Sequence, residues 1–166
     1  MVRPPSGEEP DIEGLAPDET VEQLARIKCL EVAGNFNEST LVIAADTMVC
    51  LDGYLMGKPK SRDEAIAMLG ALSGKRHTVF TGIALALGGD IRSESQKTHV
   101  FFRKLEDREI QAYVDTGEPM DKAGAYGIQG RGALFISKID GDYYNVVGLP
   151  LCRLSEMLSE MGVNLL

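Results

Sequence analysis

A carboxylate and an ammonium group that the chain can bring together are its first candidates for chemistry. Asp46 follows directly on the apolar run 40–45, a pattern typical of a strand that is buried in a sheet. A few residues later, the Asp-Gly pair at 52–53 lies between two apolar runs and predicts a tight β-hairpin. The register of that hairpin places Lys58 opposite Thr47, and therefore close to Asp46.

This pair of charges has two interpretations. A carboxylate and an ammonium at one strand end suit a site for a metal and phosphates. They could also form a surface ion pair, which contributes little to stability. Ligands of open α/β sheets bind beyond the carboxyl ends of the strands. Because no helical segment follows Asp46, we favour a functional site over a helix cap or a turn.

A third candidate, Lys28, lies within a predicted helix at about 18–33. Val21, Leu24, Ala25 and Val32 recur on one face at helical spacing, and Lys28 lies in the middle of that apolar face. Its ammonium could extend along the apolar surface to water. It could equally point into a site, and the pattern alone leaves both interpretations open.

Strand and helix patterns alternate along the rest of the chain. In order, they predict a helix after the capping box that begins at Ser61, strands at 78–87 and 91–105, a helix at 107–114, strands at 133–136 and 146–147, and a helix after Pro150. The alternation favours one α/β domain over residues 1–166, with an irregular lead-in at 1–17. We expect a mixed, twisted sheet that is flanked by helices.

A glycine-rich stretch at 117–130 lies between the third helix and the next strand. It holds four glycines among fourteen residues, together with several polar side chains. Such a composition is typical of a loop whose backbone comes close to a ligand. The alternative is a long connection that needs glycine for its turns. The stretch matches neither a dinucleotide fingerprint nor a Walker loop.

Composition excludes several classes of protein. The chain has 166 residues and a net charge of −8, from 17 basic and 25 acidic residues, so it lacks the broad basic surface of a nucleic-acid binder. No apolar run is long enough to span a bilayer. The three cysteines, Cys29, Cys50 and Cys152, form no CxxC and argue against a disulfide framework or zinc site. We therefore expect a cytoplasmic protein with neither a nucleic-acid polymer nor a membrane as partner.

Several longer blocks resemble the Maf family in order and spacing, from about residue 11 to the end of the chain. They include Ala45-Asp46-Thr47, Leu51-Asp52-Gly53, Gly57-Lys58-Pro59, Gly117-Glu118-Pro119, Ala125-Tyr126-Gly127-Ile128-Gln129-Gly130 and the run from Gly141 to Pro150. Maf proteins are similar in fold to inosine triphosphatases. The resemblance implies a nucleoside triphosphate pyrophosphatase, which hydrolyses dTTP or UTP to the monophosphate and pyrophosphate with Mg²⁺ or Mn²⁺.

The resemblance also implies roles for individual residues. Asp46 matches the proposed proton acceptor of the family, and it is also a candidate metal ligand. Glu13 is the second candidate metal ligand, unless Gly14 occupies the corresponding position. Thr47 and Gln129 match residues that mark the branch acting on dTTP and UTP. The family lysines near the phosphates correspond to Lys28, Lys58 and Lys122.

One block of the family pattern has no match in this chain. Maf proteins open with a strand that ends in a Ser-x-Ser-Pro-Arg-Arg phosphate loop, and residues 1–7 do not contain that motif. We therefore expect the first strand of the fold to be missing and the activity to be weak or absent. The alternatives are a catalytically inactive nucleotide-binding regulator and a purely structural module. Because family members are often dimeric, a homodimer is one expectation for the assembly.

Overall fold

An antiparallel sheet forms the centre of the computed structural model, which describes residues 1–3, 10, 12 and 14–166. Its five strands lie in the order β2-β1-β3-β4-β5. Their bounds are Val42–Leu51 (β1), Tyr54–Met56 (β2), Arg76–Leu87 (β3), Asp90–Phe102 (β4) and Ile136–Asp140 (β5). Every strand pairing in the described part of the chain is antiparallel, whereas we expected strands running in both directions.

Helices flank this sheet, as predicted for an α/β fold. They are Pro17–Ala33 (α1), Arg62–Leu72 (α2), Asp107–Val114 (α3), Tyr143–Val147 (α4) and Leu151–Glu160 (α5), with 3₁₀ turns at Glu118–Asp121, Ala123–Ala125 and Arg131–Phe135. Within the described ranges, none of the helices combines the length and the apolar character needed to cross a membrane.

The two faces of the sheet bury different helices. Alternate residues of a strand point to opposite faces. Val42 and Ala84 lie on the face that packs against Ala25 and Cys29 of α1. On the opposite face, residues of β1, β3 and β4 pack against α2 and α3 in the largest apolar cluster, which includes Val49, Leu51, Leu69, Leu72, Val79, Val100, Phe102, Ile110 and Tyr113. Neighbouring residues of β1 therefore face different surroundings.

Gly82 in β3 determines how closely α1 packs on the sheet. A Cβ atom at this position would lie 2.1 Å from the backbone oxygen of Val21 in α1. Real Cβ atoms do not approach a backbone atom this closely, so any larger residue would displace the helix. Because Gly82 pairs with Asp46 across the sheet, α1 lies directly over Asp46.

The structure corrects our prediction for the strand that carries Asp46. We expected the strand to end there, but β1 continues to Leu51 and places Asp46 near its middle. The hairpin turn at 52–53 is confirmed, yet the ladder with β2 stops at Val49 and Met56. Lys58 therefore lies beyond this ladder and does not pair with Thr47, whose partner on the other side of β1 is Thr81 of β3. Directly after β2, the backbone oxygen of Gly57 accepts a hydrogen bond from the Gly124 N–H of the glycine-rich stretch (3.0 Å).

Two other predicted strands are wrong. Residues 133–136 fall mostly in the 3₁₀ turn Arg131–Phe135, and residues 146–147 belong to helix α4. A short apolar run does not distinguish a strand from a buried helical turn. At α4 the Asp142 carboxylate accepts a hydrogen bond from the Tyr144 N–H (2.8 Å) and begins the helix.

His77 is buried in the apolar cluster beside the glycine-rich stretch. Only 2% of it is exposed, and its Nε2 lies 2.8 Å from the hydroxyl of Tyr126. Its ring also meets Phe102 edge-on, with the ring centroids 5.0 Å apart. Burial lowers the pKa of His77 from 6.5 to about 4, because the apolar surroundings disfavour the charged imidazolium.

This pKa predicts that the protein loses stability as the pH falls below neutrality. Between about pH 6.5 and pH 4 the unfolded chain binds a proton at His77 and the folded chain does not. At pH 5 the resulting loss is roughly 2 kcal/mol of the free energy of unfolding. We compare urea denaturation at pH 7 and pH 5 for wild type and His77→Phe. Between these two pH values, the variant should lose less of its free energy of unfolding than wild type does, by about this amount. An equal loss in both proteins would contradict the prediction.

Candidate active site

A cavity of about 730 Å³ lies along β1, beyond the end of β2. The 118–130 stretch forms its other wall. Six of the residues selected from the sequence line this cavity, namely Lys28, Asp46, Thr47, Lys58, Lys122 and Gln129. They come from α1, β1, the residues after β2 and the glycine-rich stretch, so tertiary folding brings them together. Glu13, the remaining candidate, lies outside the described residues.

Lys28 and Asp46 form a largely buried ion pair at this cavity. The Lys28 Nζ lies 2.5 Å from Asp46 Oδ1, and the two side chains are 17% and 10% exposed. The ammonium of Lys28 therefore points at the carboxylate, which decides between the two interpretations of this lysine. Asp46 Oδ2 is also buried, and it has no hydrogen-bond partner within the described residues. One oxygen is thus held by Lys28, while the other has the capacity to accept a proton or bind a cation.

Thr47 points to the opposite face of the sheet from Asp46. Its hydroxyl lies 2.9 Å from the hydroxyl of Thr81, its partner in β3. Val49 and Val79 lie on the same face and also line the cavity. The cavity therefore extends around the edge of the sheet, so that an ion pair on one face and a hydroxyl beside apolar side chains on the other can contact one ligand.

Glu118 holds the glycine-rich wall of the cavity in place. Its carboxylate accepts hydrogen bonds from the Tyr113 hydroxyl (2.9 Å) and from the N–H groups of Arg131 (3.0 Å) and Gly132 (3.2 Å). Burial acts to raise the pKa of Glu118, but these hydrogen bonds, with the charge of Lys122, outweigh it and lower the pKa. The carboxylate therefore stays ionised and joins residues on both sides of the loop that carries Gln129.

Glycines are required in this wall because protein atoms approach their backbones closely. A Cβ on Gly132 would lie 2.7 Å from the backbone oxygen of Gly127. One on Gly130 would lie 2.2 Å from the carboxylate of Glu118, which would have to give up its hydrogen bonds to the Arg131 and Gly132 N–H groups to make room. Gly124 has a φ of +67° and packs against the side chain of Val49. The need for glycine at these positions therefore comes from contacts within the protein, although the stretch also lines the cavity.

Two of the three ammonium groups that line the cavity, those of Lys28 and Lys122, form ion pairs with carboxylates. Lys122 Nζ lies 2.5 Å from Asp121 Oδ1 and lowers the pKa of that carboxyl, with a further contribution from Lys58. The lining thus combines the ammonium groups of Lys28, Lys58 and Lys122 with three carboxylates. Sequence reasoning did not select Asp121 or Glu118 as site residues. The sequence signal that could have identified them is their position in the same glycine-rich stretch as Lys122, which was selected.

Comparison with known proteins identifies the family. The family described as Maf-like protein matches residues 1–161. The chain belongs to the Maf-like family. This match confirms the expected family, and its range includes the six residues, selected from the sequence, that line the cavity.

Several bacterial relatives of this Maf-like chain carry one functional name. A protein of Pelotomaculum thermopropionicum is 52% identical over 155 residues, which are 92% of this chain and 81% of the relative. A protein of Caldanaerobacter subterraneus is 49% identical over 93% of this chain and 78% of its own length. A protein of Symbiobacterium thermophilum is 49% identical over 98% of this chain and 83% of its own length. Each is named a dTTP/UTP pyrophosphatase.

We expect Glu118→Gln to loosen the glycine-rich wall of the Maf-like cavity. An amide presents an NH₂ group where one carboxylate oxygen now accepts a backbone N–H, so at least one of these hydrogen bonds is lost. Hydrogen bonds to a charged group contribute about 1.5–3 kcal/mol each. Hydrogen exchange of the Arg131 and Gly132 amides should therefore accelerate by roughly tenfold or more.

A matched control is Glu64→Gln. Glu64 also accepts a backbone hydrogen bond, from the Lys60 N–H (2.7 Å), but it does not line the cavity. This variant should leave exchange at Arg131 and Gly132 unchanged. Equal exchange at these amides in wild type and Glu118→Gln would show that Glu118 does not hold the wall.

Proposed function

We propose that this Maf-like protein hydrolyses dTTP and UTP to the monophosphate and pyrophosphate. The observation that carries the proposal is the carboxylate of Asp46, of which one oxygen is bonded to Lys28 and the other has no hydrogen-bond partner among the described residues. It lies in a cavity that two further lysines line. The name shared by relatives at about half identity supports the same reaction.

The positive charges of the three lysines complement the negative charge of a triphosphate. Cleavage between the α- and β-phosphates places negative charge on pyrophosphate as the bridging P–O bond breaks. Lys58 and Lys122 line the cavity and are more exposed than Lys28, which lies against Asp46. Positive groups that are held in place before the reaction stabilise such developing charge without reorganising.

Asp46 is the proposed proton acceptor. The ion pair with Lys28 orients the carboxylate, so that Oδ2 is the oxygen that can accept a proton from an attacking water. The water oxygen then bonds to phosphorus, and the bridging oxygen leaves with pyrophosphate. Lys28 stays bonded to Oδ1 throughout and so fixes the orientation of the Asp46 carboxylate.

A divalent cation fits this arrangement. Mg²⁺ favours oxygen ligands and is often held by one or two carboxylates together with substrate phosphates and water. In this second role, which is an alternative to that of proton acceptor, Asp46 would contribute its Oδ2 to the cation, and the phosphates would supply further ligands. No cluster of three or more metal-ligating side chains is present in the part of the chain that the structure describes, which does not include Glu13, the second candidate ligand. When bound, Mg²⁺ or Mn²⁺ would offset negative charge on the phosphates.

The nucleobase of the substrate is proposed to bind on the side of the cavity that lies across the sheet from the Lys28–Asp46 ion pair. There Thr47 lies among Val49, Val79 and Val146, which offer apolar contacts to a flat ring. Gln129 lines the same cavity and is exposed, so its amide can donate and accept hydrogen bonds. These two polar groups are the proposed determinants of base choice. A cytoplasmic location and a homodimer stay predictions.

Pyrophosphate release from dTTP, UTP, CTP and GTP, with Mg²⁺ or Mn²⁺, tests the proposal. We expect dTTP and UTP to give the highest kcat/KM. A folded protein that binds UTP without releasing pyrophosphate would instead support the inactive nucleotide-binding alternative. A protein that neither binds nor hydrolyses any of the four would contradict both.

Asp46→Asn should lower kcat by about a hundredfold or more, because an amide cannot accept the proton. The matched control is Asp52→Asn, an identical change at the exposed hairpin turn, where the φ of +51° suits asparagine as well as aspartate. It should leave turnover unchanged. If Asp46 mainly binds the cation, the Mn²⁺ concentration for half-maximal activity should rise in Asp46→Asn. Equal turnover in Asp46→Asn and wild type would contradict either role.

A further inference from the structure

Thr81 lies beneath the cavity and shares a hydrogen bond with Thr47. It is fully buried, and its hydroxyl lies 2.8 Å from the backbone oxygen of Asn145 and 2.9 Å from the hydroxyl of Thr47. A carbonyl oxygen can only accept a hydrogen bond, whereas a hydroxyl has a single proton to donate. Thr81 therefore donates to Asn145, and the proton between the two threonines must come from Thr47.

Asn145 is itself held firmly in place. It is fully buried, and its side-chain amide donates to the backbone oxygen of Val79 (3.1 Å) and to the hydroxyl of Thr98 (3.1 Å). Thr98 in turn donates to the backbone oxygen of Asp142, where α4 begins. The acceptor that receives the proton of Thr81 is thus fixed by contacts with both β3 and β4.

This chain of hydrogen bonds gives the hydroxyl of Thr47 a single polarity. Its proton is directed into the protein toward Thr81, so only oxygen lone pairs are available on the side that lines the cavity. We propose that Thr81 is a positioning residue for base selection, which acts by making Thr47 a hydrogen-bond acceptor toward the pyrimidine ring. The inference rests on the proposed function and extends it to a residue that does not touch the substrate.

An acceptor at this position distinguishes two bases of nearly equal size. Uracil and thymine carry an N–H at ring position 3, whereas cytosine carries a bare nitrogen with a lone pair at the same position. Thr47 can accept a hydrogen bond from the first and faces the lone pair of the second. Leaving a polar group unpaired in a site is more costly than losing an apolar contact, so fixed polarity is an effective filter.

Thr81→Val tests this role, because valine has the same shape without the hydroxyl. The Thr47 proton then has no partner at position 81 and can turn toward the cavity, where it can donate to cytosine. We expect the UTP:CTP ratio of kcat/KM to fall by about tenfold. Thr81→Ser keeps the hydroxyl and should restore the ratio. Thr78→Val is the matched control, since Thr78 is in the same strand but bonds to His99, away from the cavity.

A double-mutant cycle with Thr47→Val shows whether Thr81 acts through Thr47. If it does, adding Thr81→Val to Thr47→Val leaves the ratio unchanged. Calorimetric Kd values for non-hydrolysable α,β-methylene analogues of UTP and CTP give the same ratio without turnover. Circular dichroism verifies folding, and Thr81→Ala, which also lacks the hydroxyl, replaces Thr81→Val if that variant does not fold.

The outcomes separate this inference from the proposed function. Wild type that prefers UTP, with an equal preference in Thr81→Val, would overturn the role of Thr81 and leave the pyrophosphatase intact. A change in Thr81→Val that persists in the Thr47→Val background would also overturn it. Wild type that neither hydrolyses UTP nor binds its analogue would overturn both proposals.

Discussion

The close contact between α1 and Gly82 is the constraint on which the site depends. The helix backbone rests on the strand at a position where no Cβ fits, and Gly82 pairs with Asp46. Lys28, two turns along the helix from Val21, is thereby brought within 2.5 Å of the carboxylate. The apolar residues of α1 provide the energy that holds the helix there, while the absence of one side chain in β3 determines its distance.

The shortness of β2 gives the protein its cavity. Because the ladder between β1 and β2 ends at Val49, the preceding residues of β1 lie beside open space and not beside another strand. A ligand at this edge can contact residues from both faces of the sheet. Asp46 and Thr47 are neighbours in sequence, and yet they serve the two proposed ends of the substrate. An edge of this kind would otherwise be free to pair with another strand, but here it is part of the site.

Buried hydrogen bonds set the polarity of groups around the cavity. Glu118 accepts hydrogen bonds from one hydroxyl and two backbone N–H groups, and Thr81 donates its hydrogen bond to the backbone oxygen of Asn145. In surroundings of low dielectric, unpaired polar groups are costly, so such networks have few alternative arrangements. The groups proposed to contact substrate are therefore held in place by Thr81, which does not line the cavity, and by Glu118, which does.

The sequence by itself determined the α/β class, the helix-capping at Ser61, the hairpin turn at 52–53 and the family, because these depend on local pattern or on blocks of residues read in order. It also identified six residues that line one cavity. It did not determine that the sheet is antiparallel, that Asp46 lies in mid-strand, or that residues 146–147 are helical, since short apolar runs are compatible with several structures. The direction in which Lys28 points, and the proton that Thr47 donates, were decided only by the tertiary structure, because each depends on a partner far away in the chain.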